Sequence, residues 1–536
     1  MILSRARALA LAAVWLAATG PMARAQHDHE EMPALPKDFN EPMPLFAKAL
    51  GAFTHPISST NAEAQAYFDQ GFQLMYAFGK PEAERSFREA EMRDPDCAIC
   101  YWGEAWSWGS YLNGPMQPRE APFAYAAIQK AIGLAPAHAN DTERALIDAM
   151  SVRYVAKFDP ANRHDQDLAY AEAMRKVHEQ FPRDLDIATL YADALFLMEP
   201  RRGWRDIHSP NVQKIMGVLE GVLAVDARHV GACHLYIHLT EATTEPGLAE
   251  ACADTIGNAI PGASHLNHMP SHTWNQLGRW GDSVRANLDA WHSDQKAEIG
   301  EGFAIYPSHN LMMLLFAASM DGQGAIAIQA AKDFDKLTES NANLALTLIR
   351  FGRFDEIPEL KERPKGDIDG GMWDFAQGYA ELRAGHKDKA REYLARVGED
   401  SKSSATYKAA NSAHDIVGTL HAILEGEIER ADGHLDQAIA SFERAVSLYK
   451  AIVYDEPEPL PFAAQHWLGA ALLEAKRYAD AERVYREDLK RHPHNGWSLF
   501  GLKAALAGQG NSSASVNQDF ESSWARSDTW IRRSAF

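Results

Sequence analysis

Histidines gather in one part of the chain at spacings that could place them on shared helix faces. The side chains there that could bind a metal ion are His234, His238, Glu241, His265, His268, His272 and His309. Within each cluster the members follow one another at helical offsets, so they would share one face of a helix. Neutral imidazole is the commonest metal ligand among side chains. The pattern predicts a metal site built from the six histidines.

The histidine pairs also recur at a fixed interval. His268 follows His234, and His272 follows His238, in both cases after 34 residues. That is the period of a tetratricopeptide repeat, in which each unit is a hairpin of two helices. Two successive repeats would therefore present a histidine pair from the same two positions.

Other segments carry the residue pattern of the second repeat helix, which is a small residue, a large one, a small one and then proline. The pattern occurs as Ala83, Phe87, Ala90 and Pro95, as Ala124, Ile128, Ala131 and Pro136, and in part as Ala481, Tyr485 and Pro493. Small residues let paired helices approach, the large residue fills the gap between hairpins, and proline stops the helix. The sequence predicts an all-α, tetratricopeptide-like solenoid of helical hairpins without strands.

The ends and breaks of the pattern suggest a division of the chain. Arg5 and Arg7 precede an apolar run and the A-R-A triplet that ends at Ala25, which is typical of a cleaved secretory signal. We expect a periplasmic or secreted protein that begins at Gln26. The predicted segments are a signal peptide (1–25), an extended arm (26–60), an N-terminal repeat lobe with the histidines (61–357), a C-terminal repeat lobe (372–508) and a tail (509–536).

Composition excludes some classes of partner. The formal net charge is −20 and no basic patch stands out, so nucleic acid is not an expected partner. No apolar run after the signal approaches the length of a membrane span. Cys97 and Cys100 form a C-x-x-C pair, and Cys233 and Cys252 could bridge the two helices of one repeat. Their pairing and the oligomeric state stay open at this stage.

Four segments carry a resemblance to a known family. They are L-G-A-F-T-H-P-I-S with A-Q-A-Y-F-D-Q-G-F (within 50–72), D-P-D-C-A-I-C-Y-W-G (94–103), H-L-Y-I-H-L-T-E (234–241) and H-L-N-H-M-P-S-H-T-W-N-Q-L-G-R-W (265–280). Residues 49–310 thereby resemble a family of bacterial exported tetratricopeptide-repeat proteins, uncharacterised in activity, that share the H-M-P-S-H motif. The resemblance implies histidines at all six positions and an acid at Glu241. Lys80 and Met312 depart from it, because histidine is common there.

The resemblance also implies where the histidines lie. First helices of such repeats line the concave surface, so both histidine pairs would point into a groove. Pro270 limits how far a helix can extend backwards through the second cluster. We therefore expect His265 and His268 on an entering loop, with the helix beginning near Ser271.

Three functions remain open. In the first, the protein is a metal-dependent enzyme acting on a small organic or peptide substrate, and Glu241 is a ligand or the general base. Nitrogen-rich sites suit Zn, Cu or Fe, so zinc would imply hydrolysis and copper or iron oxidation. In the second, the groove is a peptide-binding scaffold without catalysis. In the third, the protein is a metal carrier.

Overall fold

Helical hairpins follow one another from the start of the ordered repeats. In the computed structural model, which describes Leu35, Phe39 and residues 41–200 and 203–536, almost every helix packs against the next one along the chain. The helices of the N-terminal half are α1 (Ala62–Tyr76), α2 (Lys80–Arg93), α3 (Ala98–Trp108), α4 (Ala121–His138), α5 (Asp141–Ser151), α6 (Arg163–Gln180), α7 (Leu185–Phe196), α8 (Pro210–Val225), α9 (Val230–Thr240), α10 (Glu250–Ile256), α11 (Ser264–His268), α12 (Pro270–Leu277) and α13 (Trp280–Ala297).

The C-terminal half repeats the arrangement. Its elements are α14 (Pro307–Asp321), α15 (Gly324–Thr338), α16 (Ala342–Arg350), α17 (Asp367–Arg383), α18 (Lys387–Asp400), β1 (Thr406–Tyr407), β2 (Asn411–Ser412), α19 (Ala413–Ala431), α20 (Leu435–Ala451), α21 (Gln465–Glu474), α22 (Tyr478–Arg491), α23 (Gly496–Gly508) and α24 (Ala514–Ser523). Short 3₁₀ turns lie at Pro160–Asn162, Pro246–Ala249 and Ile357–Glu359. The prediction of an all-α hairpin solenoid is confirmed, apart from one very short strand pair.

Close packing between hairpins follows the predicted pattern. The Phe87 ring on α2 lies between Gly71 of α1 and Gly103 of α3. A Cβ atom on Gly71 or Gly103 would come within 2.8 or 2.4 Å of this ring. The Tyr485 ring stands in the same relation to Gly469 and Gly501, where a Cβ would come within 2.3 or 2.1 Å. Glycine on the first helices therefore lets a large residue of the second helix fill the gap.

Two apolar cores run through the described residues. The first extends from Met43 to Ile305, and the second begins at Trp280 and ends at Ala535. Residues 35–536 nevertheless form one compact unit, so the predicted lobe boundary at 358–371 stays a prediction. Within the described ranges no helix is long and apolar enough to cross a membrane.

The two ends of the chain differ from each other. The predicted signal (1–25) and residues 26–34, 36–38 and 40 of the arm lie outside the described residues. Residues 41–60 contain no α-helix, and glutamines of α1 bind their backbone: Gln73 accepts from the Gly51 amide at 2.8 Å. The tail is held against the repeats, because Tyr379 donates a hydrogen bond to the Phe536 carbonyl and Ser534 donates one to the His466 carbonyl.

The irregular segment between α20 and α21 is held by the strand pair. The tip of the β1–β2 hairpin presents Lys408, whose Nζ donates to Asp455 Oδ1 at 3.3 Å and to the Glu456 carbonyl at 3.1 Å. Asn411 accepts a 2.8 Å hydrogen bond from the Val453 amide. These contacts fix residues 453–456, which reach the histidines.

Candidate metal centre

All the predicted ligands come together in one buried region. His234 and His238 lie on α9, His265 and His268 on α11, His272 on α12 and His309 on α14, and Glu241 follows the end of α9. Five of the histidines are at most 3% exposed, whereas His309 is half-buried. The side chains that were predicted to point into a concave groove are thus mostly buried. Residues of the α20–α21 segment close the region from the C-terminal side.

The expectation of an entering loop at His265 and His268 is wrong. Both lie on α11, a short helical turn, and Met269 keeps helical angles (φ −49°, ψ −38°) between α11 and α12. Pro270 occupies the first turn of α12, where a missing N–H removes no helical hydrogen bond. The proline thus separates two helical turns without unwinding them, and all three histidines of the motif stay on one side.

Two groups of three imidazoles lie next to each other. The first triad is His234, His238 and His265, and the second triad is His268, His272 and His309. Within each triad one ring nitrogen per residue lies within 4.8 Å of the others. In the first triad His234 Nε2 and His265 Nε2 are 3.2 Å apart; in the second, His268 Nε2 and His272 Nε2 are 2.7 Å apart. Each triad can thus offer three nitrogens to one ion.

The Nδ1 atoms of His234, His238 and His268 face acceptors, whereas His265 Nδ1 is buried without a hydrogen-bond partner among the described residues. His234 Nδ1 donates to the Tyr76 carbonyl at 2.5 Å, and His238 Nδ1 donates to Glu241 Oε1 at 2.7 Å. His268 Nδ1 lies 3.0 Å from Asn287 Oδ1. An imidazole that binds a metal ion usually donates its other N–H to such a group, which fixes the tautomer and the ring orientation. The Nδ1 contacts leave the Nε2 atoms free to face an ion.

Asn287 is oriented by its own surroundings. Its Nδ2 donates to the Ser283 carbonyl at 2.8 Å, so its Oδ1 faces His268.

In the first triad, His238 Nε2 is buried and has no hydrogen-bond partner among the described residues. A buried polar nitrogen without a partner is costly. A bound ion would supply that partner.

Glu241 links the two triads. Its carboxylate accepts from His238 Nδ1 with one oxygen and from His272 Nδ1 with the other. Burial alone would raise the pKa of Glu241, but His272 and His238 hold it below its usual range, so the side chain is a carboxylate. Burial would lower the pKa of His272, but the charges and hydrogen bonds of Glu241 and Glu456 raise it to about 10.

Four of the other histidines have a lowered pKa, in contrast to His272. Burial, together with repulsion from neighbouring imidazoles, holds the pKa values well below the usual range for His234, His265, His268 and His309. They are therefore neutral near neutral pH. Neutral imidazole keeps the lone pair that a metal ion needs.

Two residues of the α20–α21 segment complete the centre, and sequence analysis missed both. Glu456 Oε2 lies 3.0 Å from His272 Nδ1, and the Tyr454 hydroxyl donates to Glu241 Oε2 at 2.7 Å. His238, Glu241, His272 and Glu456 form a further group of clustered ligand atoms. The run D-E-P-E-P at 455–459 is the signal that could have found them, because a long irregular loop in a helical protein is often functional.

Two aromatic residues with unusual backbones border the centre. Phe78 (φ 60°) and Tyr306 (φ 58°) both adopt left-handed conformations, which non-glycine residues rarely do. The Phe78 ring centroid lies 4.2 Å from that of His234, and the Tyr306 centroid lies 5.1 Å from that of His265. Such strain persists where the surrounding structure imposes it, and it is concentrated at functional sites.

Comparisons with known proteins give only weak structural similarities. Neither a family model nor a curated protein matches the sequence. Solved structures that align with the chain include one of the APC/C hetero-tetramer Cut9–Hcn1 (12% identity, 89% of this chain and 79% of that chain, TM-score 0.30). Others are human IFIT1 with m7Gppp-AAAA (11%, 80% and 90%, 0.32) and the P58(IPK) TPR domain (12%, 84% and 99%, 0.21). At these scores the likeness carries nothing about function.

Proposed function

We propose that the protein is a metal-dependent enzyme that holds two transition-metal ions, one in each histidine triad. The observation that carries this proposal is the orientation of the rings. In each triad one nitrogen from every ring lies within 4.8 Å of the others, while the Nδ1 atoms of His234, His238, His268 and His272 are occupied by acceptors. Three imidazoles without an anionic ligand suit Cu or Zn, and Fe is a further candidate.

Burial favours an enzyme over the two other functions. A peptide-binding scaffold needs its recognition residues on an accessible surface, yet the five most buried histidines are almost inaccessible. A carrier must release its ion readily, whereas Tyr454 and Glu456 close this centre from a distant part of the chain. The arrangement suits retained ions and a protected reaction site.

Glu241 is proposed as an orienting residue that serves both triads. Both of its oxygens already accept hydrogen bonds from Nδ1 atoms, and one also accepts from Tyr454. A bound copper ion would supply redox chemistry, and a bound zinc ion would activate water and polarise a substrate oxygen. Around the ions the protein excludes water and keeps His234, His265, His268 and His309 neutral. The substrate would be a small organic molecule or a peptide.

Metal content of triad variants tests the proposal. We expect metal analysis of the mature protein, purified without chelators, to give close to two ions per chain. His234→Gln removes a ligand of the first triad and His309→Gln one of the second, so each variant should retain close to one ion. His292→Gln is the matched control, because His292 is exposed and lies outside both triads.

Three outcomes would contradict the proposal in different ways. Wild-type protein with no bound ion, even after loading with Zn²⁺ and Cu²⁺, would exclude a metal centre. Loss of all metal from both variants would show one joint site instead of two. Metal-loaded protein that turns over no substrate in a broad screen for hydrolysis and oxidation, and that releases its ions rapidly to a chelator, would favour the carrier.

Export is also part of the proposal. All four cysteines are paired, as Cys97–Cys100 and Cys233–Cys252, and disulfides persist in oxidising compartments. This supports a periplasmic or secreted protein. N-terminal sequencing of the exported product should begin at Gln26; an intact N-terminus in the cytosolic fraction would contradict export.

A further inference from the structure

A cleft that is open to solvent lies beside the first triad. It has a volume of about 540 Å³ and is bordered by the start of α2, the loop between α3 and α4, and the residues just before α14. Sites for small molecules in proteins typically enclose volumes of this size. The cleft is therefore large enough for an organic molecule.

One layer of aromatic side chains separates the cleft from the first triad. Phe78 and Tyr306 line the cleft. The Phe78 ring centroid also lies 4.2 Å from that of His234, and the Tyr306 centroid lies 5.1 Å from that of His265. The Tyr306 hydroxyl is 2.5 Å from the Tyr111 hydroxyl, which ties this layer to the loop between α3 and α4. A molecule in the cleft would therefore lie across these rings from the proposed first ion.

The walls of the cleft favour an aromatic occupant. Tyr111 and Tyr306 line the cleft and are half-buried, so each ring keeps part of its surface accessible. The Phe78 ring meets that of Tyr111 edge-on, with centroids 5.2 Å apart, and Trp108 belongs to the same wall. Aromatic rings pack favourably in edge-on and offset-stacked arrangements. A flat ring would find several such partners here.

The charges on the walls are of both signs. Lys80 lines the cleft together with Glu82 and Glu120. The Lys80 ammonium already donates to the Gly109 carbonyl at 2.6 Å and lies over the Tyr111 ring. An anionic ligand would meet the two carboxylates, and a cationic ligand would meet the lysine. The cleft therefore favours an uncharged molecule.

Asn113 lies between the cleft and the metal centre. It lines the cleft, and it also lines a small space beside His238, Glu241 and Tyr454. Its side chain is half-buried and forms no hydrogen bond with another described residue. A carboxamide has both a donor and an acceptor, and a hydroxyl group can use both. Asn113 is thus suited to hold a hydroxyl at the side of the cleft that adjoins the centre.

We propose that this cleft binds a small phenol, with its ring against Tyr111 and Tyr306 and its hydroxyl bonded to Asn113. A phenol is flat and aromatic, and it is uncharged near neutral pH. Its role as a substrate of the first triad rests on the proposed function, whereas its binding to the cleft does not. The hydroxyl would be the part of the ligand nearest to the centre.

Calorimetric titration with phenol tests the cleft. Asn113→Leu keeps the size of the side chain and removes its hydrogen bonds, so we expect phenol to bind about tenfold more weakly. Ala304→Trp places a large side chain on an exposed residue of the cleft and should abolish binding without disturbing the core. Asn511→Leu and Ala507→Trp are the matched controls, because both residues are exposed and lie outside the cleft. Both controls should bind as the wild type does.

Two further ligands test the chemical class. Cyclohexanol keeps the hydroxyl and lacks the aromatic ring, and benzoate keeps the ring and carries a negative charge. We expect both to bind more weakly than phenol. Equal affinity for cyclohexanol would overturn the aromatic assignment, and equal or tighter binding of benzoate would overturn the preference for an uncharged ligand.

The same titration on metal-free protein separates this inference from the proposed function. Phenol that binds metal-free protein, and that is blocked by Ala304→Trp, supports the cleft even if no ion is ever found. Phenol that binds only metal-loaded protein, and equally in Ala304→Trp, would mean that the ion holds it, which overturns the cleft assignment and leaves the metal centre standing. No phenol binding in either state would overturn the inference.

Discussion

The hydroxyl of Tyr454 donates a 2.7 Å hydrogen bond to Glu241, across 213 residues of sequence. Both residues are buried, at 9% and 3% exposure. The same carboxylate holds the Nδ1 atoms of His238 and His272. One contact therefore joins the C-terminal repeats to both histidine triads. It makes closure of the centre dependent on where the α20–α21 segment lies.

Tyr454→Phe tests this closure. The substitution keeps the ring and removes one hydrogen bond to a charged acceptor, so we expect thermal stability to fall by about 2 kcal/mol. The loop should also open more often, and bound metal should transfer faster to a chelator. Tyr236→Phe is the matched control, because its hydroxyl donates to Glu220 at 2.8 Å outside the centre. Equal chelation rates in the two variants would contradict the role of Tyr454.

Local spacing was sufficient to predict that the histidines lie close together. His234 with His238, and His268 with His272, follow helical offsets, and the repeat period places the two pairs on adjacent units. The packing of Phe87 and Tyr485 against glycines was predictable for the same reason, because repeat patterns are short-range. What recurs within one repeat can be derived from sequence alone.

Long-range closure could not be predicted in this way. Tyr454 and Glu456 reach the triads only because the β1–β2 hairpin holds their segment, and nothing in the repeat pattern specifies that contact. These contacts help to bury the histidines. The repeat pattern, which does not include them, predicted only a groove. The left-handed backbones of Phe78 and Tyr306 were equally hidden, since neither is a residue type that favours them.

The disulfide beside the first triad should contribute to its stability. Cys233 precedes His234 on α9 and pairs with Cys252 on α10 across 19 residues. By loop-closure entropy a bridge of this size stabilises by about 3 kcal/mol. We expect Cys233→Ala/Cys252→Ala to lower the thermal midpoint and weaken metal binding at the first triad. The Cys97–Cys100 bridge closes a much shorter loop, so Cys97→Ala/Cys100→Ala should lower the thermal midpoint less and leave the metal content unchanged. A larger fall in the midpoint for this variant than for Cys233→Ala/Cys252→Ala would contradict the assignment.

Stability should also depend on pH through His492. Burial would lower its pKa, but Glu458 and Asp488 raise it to about 9. The folded pKa of His492 lies above the unfolded one, so its charged form stabilises the folded protein. This stabilisation amounts to about 3 kcal/mol below about pH 6.5, declines as the pH rises and is lost beyond about pH 9. The midpoint difference between metal-free wild type and His492→Gln should shrink over this range. A constant difference from acidic to alkaline pH would refute the charged state of His492.

Glu241→Gln separates the roles that its carboxylate could have. Glutamine keeps the size but leaves one acceptor oxygen, so its amide N–H₂ would face either His238 Nδ1 or His272 Nδ1, donor against donor. If Glu241 orients the imidazoles, affinity for the ions should fall by about 10- to 100-fold, as expected when such a partner is lost. Chelator competition measures that affinity, and Glu220→Gln is the control on α8, where the carboxylate accepts from Tyr236 away from both triads.

Turnover measured at saturating metal completes the test of Glu241. An orienting residue should then lose little activity, because excess metal refills the sites, whereas a general base would lose activity with unchanged affinity. A direct ligand would lose both, since the coordination itself would change. Unchanged affinity together with unchanged activity in Glu241→Gln would show that the link between the triads is structural, and the orienting role would be withdrawn.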